Sequence, residues 1–284
     1  MKVPSESKRP KVEVDASHSY GDLVVHERVK FAVLPNEFVC ICGPSGCGKT
    51  TLLDYLAGII KPTRGTVLID SAPADPKRQS ISFVFQEQST FPWLTVADNI
   101  ATGLRIKGSP SEEISRKVRD IIDIVGLTGF ENYYPHQISG GMKQRIAIAR
   151  AFATDADLIL MDEPFVSLDQ PTRERMQCEV LDIWQHRLRT VIFVTHNIEE
   201  AVFLADRILI LSEKPGRIVA DLPVPFERPR NPLSSEFMQL RLECLHWLHP
   251  SNAAQPKESN PPCEHDDSAN NSGRRSAIQR EDIA

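Results

Sequence analysis

Lys49 and Thr50 close the run Gly43-Pro44-Ser45-Gly46-Cys47-Gly48-Lys49-Thr50, whose residue types and spacing suit one task, gripping the phosphates of a nucleoside triphosphate. The glycines let the backbone curl so that successive N–H groups point inward at phosphate oxygens, and a helix N-terminus behind them adds partial positive charge. Lys49 is placed to reach the β- and γ-phosphates, and Thr50 to put its hydroxyl on a magnesium ion bridging them. Thr51 follows directly and is counted with the loop. A glycine-rich surface turn would share the composition, but not the flanks. An apolar strand-forming run, Phe38 to Cys42, enters the loop; a helix-forming run, Thr51 to Ala57, leaves it with Leu52, Leu53 and Leu56 on one face and Gly58 as a C-cap.

Three further groups suited to nucleotide chemistry end strand-like runs, where open parallel sheets collect their ligands. Leu158 to Met161 ends in Asp162-Glu163, Val191 to Val194 leads to Thr195-His196, and Ile81 to Phe85 ends at Gln86. Asp162 fits a water-mediated magnesium ligand. Glu163, left beside the metal without ligating it, is a general base for the attacking water. His196 is a hydrogen-bonding partner for the γ-phosphate. A fourth feature is Ile138-Ser139-Gly140-Gly141-Met142-Lys143-Gln144-Arg145, a Ser-Gly-Gly turn opening onto a helix. It offers a hydroxyl, backbone N–H groups and a helix dipole to a second phosphate-binding surface, or it is a simple N-cap. The turn alone leaves both readings open.

These groups need a scaffold, and the chain's 284 residues, 41% hydrophobic and 25% charged, can build one. Residues 11–42 alternate apolar runs with turn residues, predicting antiparallel strands, which Val67 to Ile69 extends. Thr95 with Asp98 resembles a capping box, and Ile114, Val118, Ile121, Ile122 and Val125 make a helical face closed by Gly126. From Leu158 onward strand and helix alternate, the pattern of a parallel sheet. After a proline-rich stretch an amphipathic segment runs from Ser234 to Leu248, and residues 250–284 lack packing side chains and read as disordered. Its Cys263-Glu264-His265-Asp266-Asp267 group is a weak metal-site candidate in a flexible tail. A net charge of -5 gives no electrostatic reason to bind nucleic acid. Residues 1–10 are charged, proline-punctuated and flexible, without the apolar core of a secretory leader. No apolar run reaches the roughly 18 residues of a membrane span. The six cysteines show no C-x-x-C spacing and read as reduced thiols.

Taken in order, the phosphate loop, Gln86, Ser139 to Met142, Asp162-Glu163, Ser167-Leu168-Asp169 and His196 resemble the ATP-binding cassette (ABC) family of ATPases over about residues 11–230. The resemblance implies an α/β P-loop NTPase with a mixed central sheet, an antiparallel β subdomain and a helical signature subdomain at about 88–150; the C-terminal amphipathic segment, 231–249, lies beyond it. It implies ATP and Mg2+ as cofactors. It makes Ser139, Gly140, Gly141 and Met142 the signature that contacts ATP held by another subunit, Gln86 the Q-loop and a metal ligand, Asp169 the D-loop, His196 the switch histidine and Tyr20 the aromatic stacked on adenine. Phe91 to Val96, Ser-Gly-Gly-Met in place of Ser-Gly-Gly-Gln, and Lys214 to Val219 are similar to the nitrate/sulfonate/taurine-type bacterial importers. Asn36 stands where the family usually has glycine, a change that Asn tolerates in a left-handed turn. Val166 replaces a smaller residue, and Leu23 to Val33 matches poorly.

The resemblance thus implies a homodimeric ATPase on the cytoplasmic face of the inner membrane. It would drive a separate integral membrane permease fed by an external solute-binding protein, with no nucleic-acid partner. Two alternatives differ in class. A soluble ABC ATPase of DNA repair or translation would carry a long coiled coil between Lys49 and Ser139, for which the spacing is too short, or a second cassette; an export or lipoprotein-release ATPase would share the chemistry but not the subgroup motifs. The stretch Gln88 to Leu94 has two readings: Phe91 and Trp93 pack in the core, or they line a groove for a short permease helix.

Overall fold

The computed structural model describes residues 9–87 and 89–248. Residues 1–8 of the N-terminus expected to be flexible over 1–10, Gln88, the disordered tail expected at 250–284 and the Cys263 to Asp267 group lie outside the described residues.

Two strands, β1 (Val12–Tyr20) and β2 (Leu23–Val33), form an antiparallel hairpin, and β3 (Phe38–Cys42) follows across a turn at Asn36, whose φ of 64° is the left-handed conformation that asparagine accepts. Next come α1 (Lys49–Leu56), β4 (Arg64–Ile69), β5 (Ala72–Pro73) and β6 (Ile81–Val84). A purely helical stretch separates β6 from β7 (Leu158–Asp162): α2 (Val96–Ile106), α3 (Ser111–Ile124) and α4 (Gly140–Ala153). After β7 the chain alternates as α5 (Gln170–Arg187), β8 (Thr190–Thr195), α6 (Ile198–Leu204) and β9 (Arg207–Leu211), then ends with β10 (Gly216–Pro223) and α7 (Ser235–Leu248).

The strands lie in the order β5-β4-β1-β2-β10-β9-β3-β8-β7-β6. The block β9-β3-β8-β7-β6 is parallel throughout, and β3, β7 and β8 are buried along their whole length because helices cover both faces. The block β5-β4-β1-β2 is antiparallel, and β1 alternates buried and half-buried residues as expected of a sheet with one wet face. β10 joins the two, antiparallel to β9 and parallel to β2. The sheet is therefore mixed. Its crossovers bring the C-terminal ends of β3, β7 and β8 side by side, which sets Cys42, Asp162 and Thr195 at one edge. No helix among the described residues is long and apolar enough to cross a membrane.

Leu52, Leu53 and Leu56 are fully buried under α1, and Gly58 follows the cap in the left-handed region at φ 68°. The expected capping box at α2 takes a variant form. Thr95 Oγ1 accepts from the Asp98 amide at 3.2 Å, but the Asp98 carboxylate takes the Thr95 hydroxyl at 2.8 Å rather than the backbone N–H.

The C-terminal end of α6 is closed from outside by Arg230. Its buried guanidinium Nη1 donates to the carbonyls of Val202 (2.8 Å), Phe203 (3.1 Å) and Ala205 (2.6 Å), groups that a helix end leaves unpaired. Burial, with Arg228 nearby, holds Arg230 down at about 10, so it stays charged at neutral pH. Arg230→Met is expected to destabilise the fold by about 2 kcal/mol, because the side chain's volume is kept while these carbonyls lose their donor. A shift of the urea midpoint at unchanged slope is the measurement.

Candidate active site

The loop between β3 and α1 turns through Gly46 at φ 78° and Gly48 at φ 103°, conformations that side chains resist, and Gly48 also leads directly into the first turn of α1. Lys49 is buried; its Nζ donates back to the carbonyls of Gly43 (3.0 Å) and Pro44 (3.1 Å), so the ammonium is enclosed by the loop it follows. Cys47 contributes backbone only, for its thiol is buried and burial pushes it up from the ordinary range. Cys40, Cys42, Cys47 and Cys244 are buried free thiols and Cys178 an exposed one.

At the end of β7, Asp162 Oδ2 accepts the Thr50 hydroxyl at 2.8 Å. Burial raises the Asp162 carboxyl, the Thr50 hydrogen bond opposes this, and the charge of Glu163 adds to the rise. A nearly buried carboxylate beside the Thr50 hydroxyl, with the Gln86 amide oxygen on the same cleft as that hydroxyl, is an all-oxygen donor set, which suits magnesium rather than zinc or copper. Glu163, next in the chain, has φ 43°, a left-handed conformation held by its N–H bonding Val194 O at 2.9 Å across to β8. Its carboxylate lies between two cationic or polar groups: Lys49 Nζ is 3.5 Å from Oε1, and His196 Nδ1 is 2.7 Å from Oε2. The carboxylate is mostly buried and the imidazole half exposed.

A cleft of about 570 Å3 gathers Tyr20, Ser45, Gly46, Gly48, Lys49, Thr50, Thr51, Gln86, Glu163 and His196. Residues expected from five separate stretches thus meet in one place. The same walls include Leu23, Val25, Val166 and Lys214, which sequence reasoning did not place there. Tyr20 is half exposed at the end of β1 with its ring edge-on to His18 at 4.5 Å. Arg173 was also missed. From α5 it donates to Leu168 O (2.9 Å) and Phe165 O (3.3 Å), and its Nε lies 3.6 Å from buried Glu200, which accepts the Thr195 hydroxyl at 2.6 Å. It therefore ties the turn after Glu163 to the strand end before His196.

Ser139, Gly140, Gly141, Met142 and Asp169 are not among the residues lining this cleft. Ser139 is the N-cap of α4, accepting from Met142 N at 3.3 Å, and it is exposed with Gly140. Asp169 caps α5 through Thr172 N at 3.4 Å, and the Thr172 hydroxyl first, then that amide, hold its carboxyl below the usual range. The two caps are neighbours, since a Cβ on Gly141 would lie 3.4 Å from Thr172 Cγ2. They form a second, outward-facing surface of the same chain.

The stretch after Gln86 is shaped by Asn99, fully buried in α2. Its Oδ1 accepts from Phe91 N at 2.7 Å and its Nδ2 donates to the carbonyls of Phe91 (3.1 Å), Leu94 (3.0 Å) and Thr95 (2.9 Å). The loop so held keeps Phe91 half-buried beneath the Arg150 guanidinium, 5.2 Å from the ring centroid, and presents Trp93 outward at 71% exposure. Core packing does not account for Trp93.

The pattern of a known family, described as ABC transporter, matches residues 26–166. An uncharacterized ABC transporter ATP-binding protein of Methanocaldococcus jannaschii is 46% identical over 222 residues, 78% of this chain and 83% of that protein. The aliphatic sulfonates import ATP-binding protein SsuB of Bacillus thuringiensis subsp. konkukian is 44% identical over 229 residues, 81% of this chain and 90% of that protein. Among solved structures, a dimeric ATP-binding cassette in a post-hydrolysis state bound to ADP and phosphate superposes with a TM-score of 0.66 at 31% identity, covering 76% of this chain and all of that one. With this fold, this cleft and these relatives, the chain belongs to the ABC transporter family, among its ATP-binding, ATP-hydrolysing subunits.

Proposed function

We propose that this ATPase works as a homodimer on the cytoplasmic face of the inner membrane and powers import of a small anion or related solute, such as a sulfonate, nitrate or taurine. The solute would pass through a separate integral membrane permease fed by an external solute-binding protein. Sulfonate-import relatives support the solute class, and the subgroup motifs point the same way. Thr50, Asp162 and Gln86 would hold Mg2+, and the ion would supply Lewis-acid neutralisation of phosphate charge.

The chain's own groups supply the remaining chemistry. A triphosphate seated in the loop offers the Lys49 ammonium more negative charge than the Glu163 carboxylate does, so Lys49 turns from Oε1 to the phosphates and Oε1 is released to accept a proton from the attacking water. His196, 2.7 Å from Oε2, orients that carboxylate, and its ring on the cleft wall would bond the γ-phosphate. Tyr20, at the mouth of the cleft, offers its half-exposed ring to the adenine.

The observation that carries the transport reading is Trp93. It is the exposed anchor of a loop whose first residue, Gln86, lines the cleft, so one short segment joins the cleft to the outer surface. Trp93→Ala is expected to leave folding and ATP binding intact, weaken assembly with the permease by about tenfold or more, and raise the ATP used per solute transported. Normal assembly and a normal ratio in reconstituted vesicles would remove Trp93 from this role.

A further inference from the structure

Beneath the phosphate loop lies a polar aromatic cluster with no part in the chemistry above. His18 of β1 and His26 of β2 are cross-strand partners at the point where the ladder's register shifts, and both are buried, His26 completely. Tyr55 of α1 stands between them. Its hydroxyl is hydrogen-bonded to His26 Nδ1, its ring lies edge-on to His26 at 5.5 Å, and it is tilted against His18 at 5.5 Å. The other edge of His26 meets the loop. A Cβ on Gly48 would collide with His26 Nε2, and one on Gly216 of β10 would stand 2.8 Å from His26 Cδ2 and 2.7 Å from the Cys47 carbonyl. The imidazole is thus wedged among the loop, α1 and β10.

We infer that His26, held by Tyr55, is a positioning residue for the phosphate loop, its ring fixing the backbone path at Gly48 and so the aim of the N–H groups that grip ATP. This rests on the loop being the ATP site. An apolar ring of similar size would fill the space but leave the Tyr55 hydroxyl, itself buried, without an acceptor. A neutral ring that takes the phenol's proton at Nδ1 carries its own proton on Nε2, the edge that faces Gly48. The ring stays neutral: burial first, then His18 from β1 and Lys214 from the turn before β10, hold His26 down at about 4, with the Gly48 backbone acting the other way. Tyr55 is pushed up by burial and remains a phenol. A neutral wedge adds no charge under the loop and leaves Lys49 as the cation the phosphates meet.

The test uses purified full-length chain and measures dissociation constants for Mg-ATP and Mg-ADP together with KM and kcat. Tyr55→Phe removes only the hydroxyl, and His26→Phe only the acceptor and the Nε2 proton. Each is expected to weaken both nucleotides about five- to tenfold, the effect of about one net hydrogen bond, with KM rising more than kcat falls. Because the two residues share one bond, the double variant is expected to be no weaker than the weaker single, and His26→Gln, which restores an acceptor, to recover part of the loss. If His26→Phe fails to fold, Tyr55→Phe decides. Wild-type affinity in the variants, with Lys49→Ala binding no ATP, overturns this inference alone; a wild-type chain that binds no ATP overturns the site reading with it.

Discussion

Glu163→Gln is expected to bind ATP at least as tightly as the wild type does while hydrolysing it about 100-fold more slowly or worse. The amide keeps the carboxylate's shape and can still accept from His196 at 2.7 Å, so the geometry around the cleft survives. It cannot take a proton from water. Two further changes follow from the loss of charge. Lys49 loses the ion pair at 3.5 Å that holds it toward Glu163, which leaves it more available to phosphate, and Asp162 loses a negative neighbour that pushes its carboxyl up, which favours its ionised, metal-binding form. Both strengthen nucleotide binding, so the variant should accumulate as an ATP-bound dimer, visible as a concentration-dependent shift in size-exclusion chromatography on adding ATP. Single-turnover rates near wild type in the purified transporter would show that Glu163 is not the base.

Why these groups could be read from the sequence while others could not comes down to what carries their positions. The phosphate loop is contiguous, and its conformation is forced by Gly46 and Gly48, so the motif carries its own geometry. Glu163, His196 and Gln86 follow apolar runs, and a parallel sheet with helices on both faces brings such ends together. Leu23, Val25, Lys214 and His26 had no such signal. They reach the cleft or the loop through the pairing of β2 with β10, strands from opposite ends of the cassette whose parallel contact no local pattern encodes. Asn99 was hidden differently. Thr95 and Asp98 drew the eye as a cap, whereas the side chain that shapes the Phe91 to Leu94 loop is the next residue, a buried amide inside the helix whose four hydrogen bonds appear only once the loop is folded back. Arg173, on the first turns of α5, could have been suspected from one signal, a cation close behind the Asp169 cap. Its partner Glu200 is set by the packing of α6, which the spacing does not contain.

Lys49→Ala and Ser139→Arg chains, each inactive alone, are expected to recover about a quarter of wild-type turnover when mixed in equal amounts. The Ser139 turn does not line the cleft of its own chain; it caps α4 and is exposed beside the Asp169 cap, offering a hydroxyl and the N-terminus of α4 to whatever faces it. A two-fold dimer would lay that surface over the cleft of the partner, so each ATP would be gripped by Lys49 of one chain and Ser139 of the other. In a mixed dimer one site then carries both lesions and the other carries neither. Random pairing makes about half the dimers mixed, each with one intact site of two, which gives the quarter. Arginine is the choice at Ser139 because its bulk and charge block the turn without touching the Lys49 loop of the same chain, and the N-cap bond to Met142 that it removes costs only about 1 kcal/mol of local stability. The readout is phosphate release as a function of mixing ratio, with mixed dimers demonstrated by two different affinity tags. Recovery that peaks at equal amounts supports the composite site; none, with mixed dimers present, would mean that each chain completes its own site.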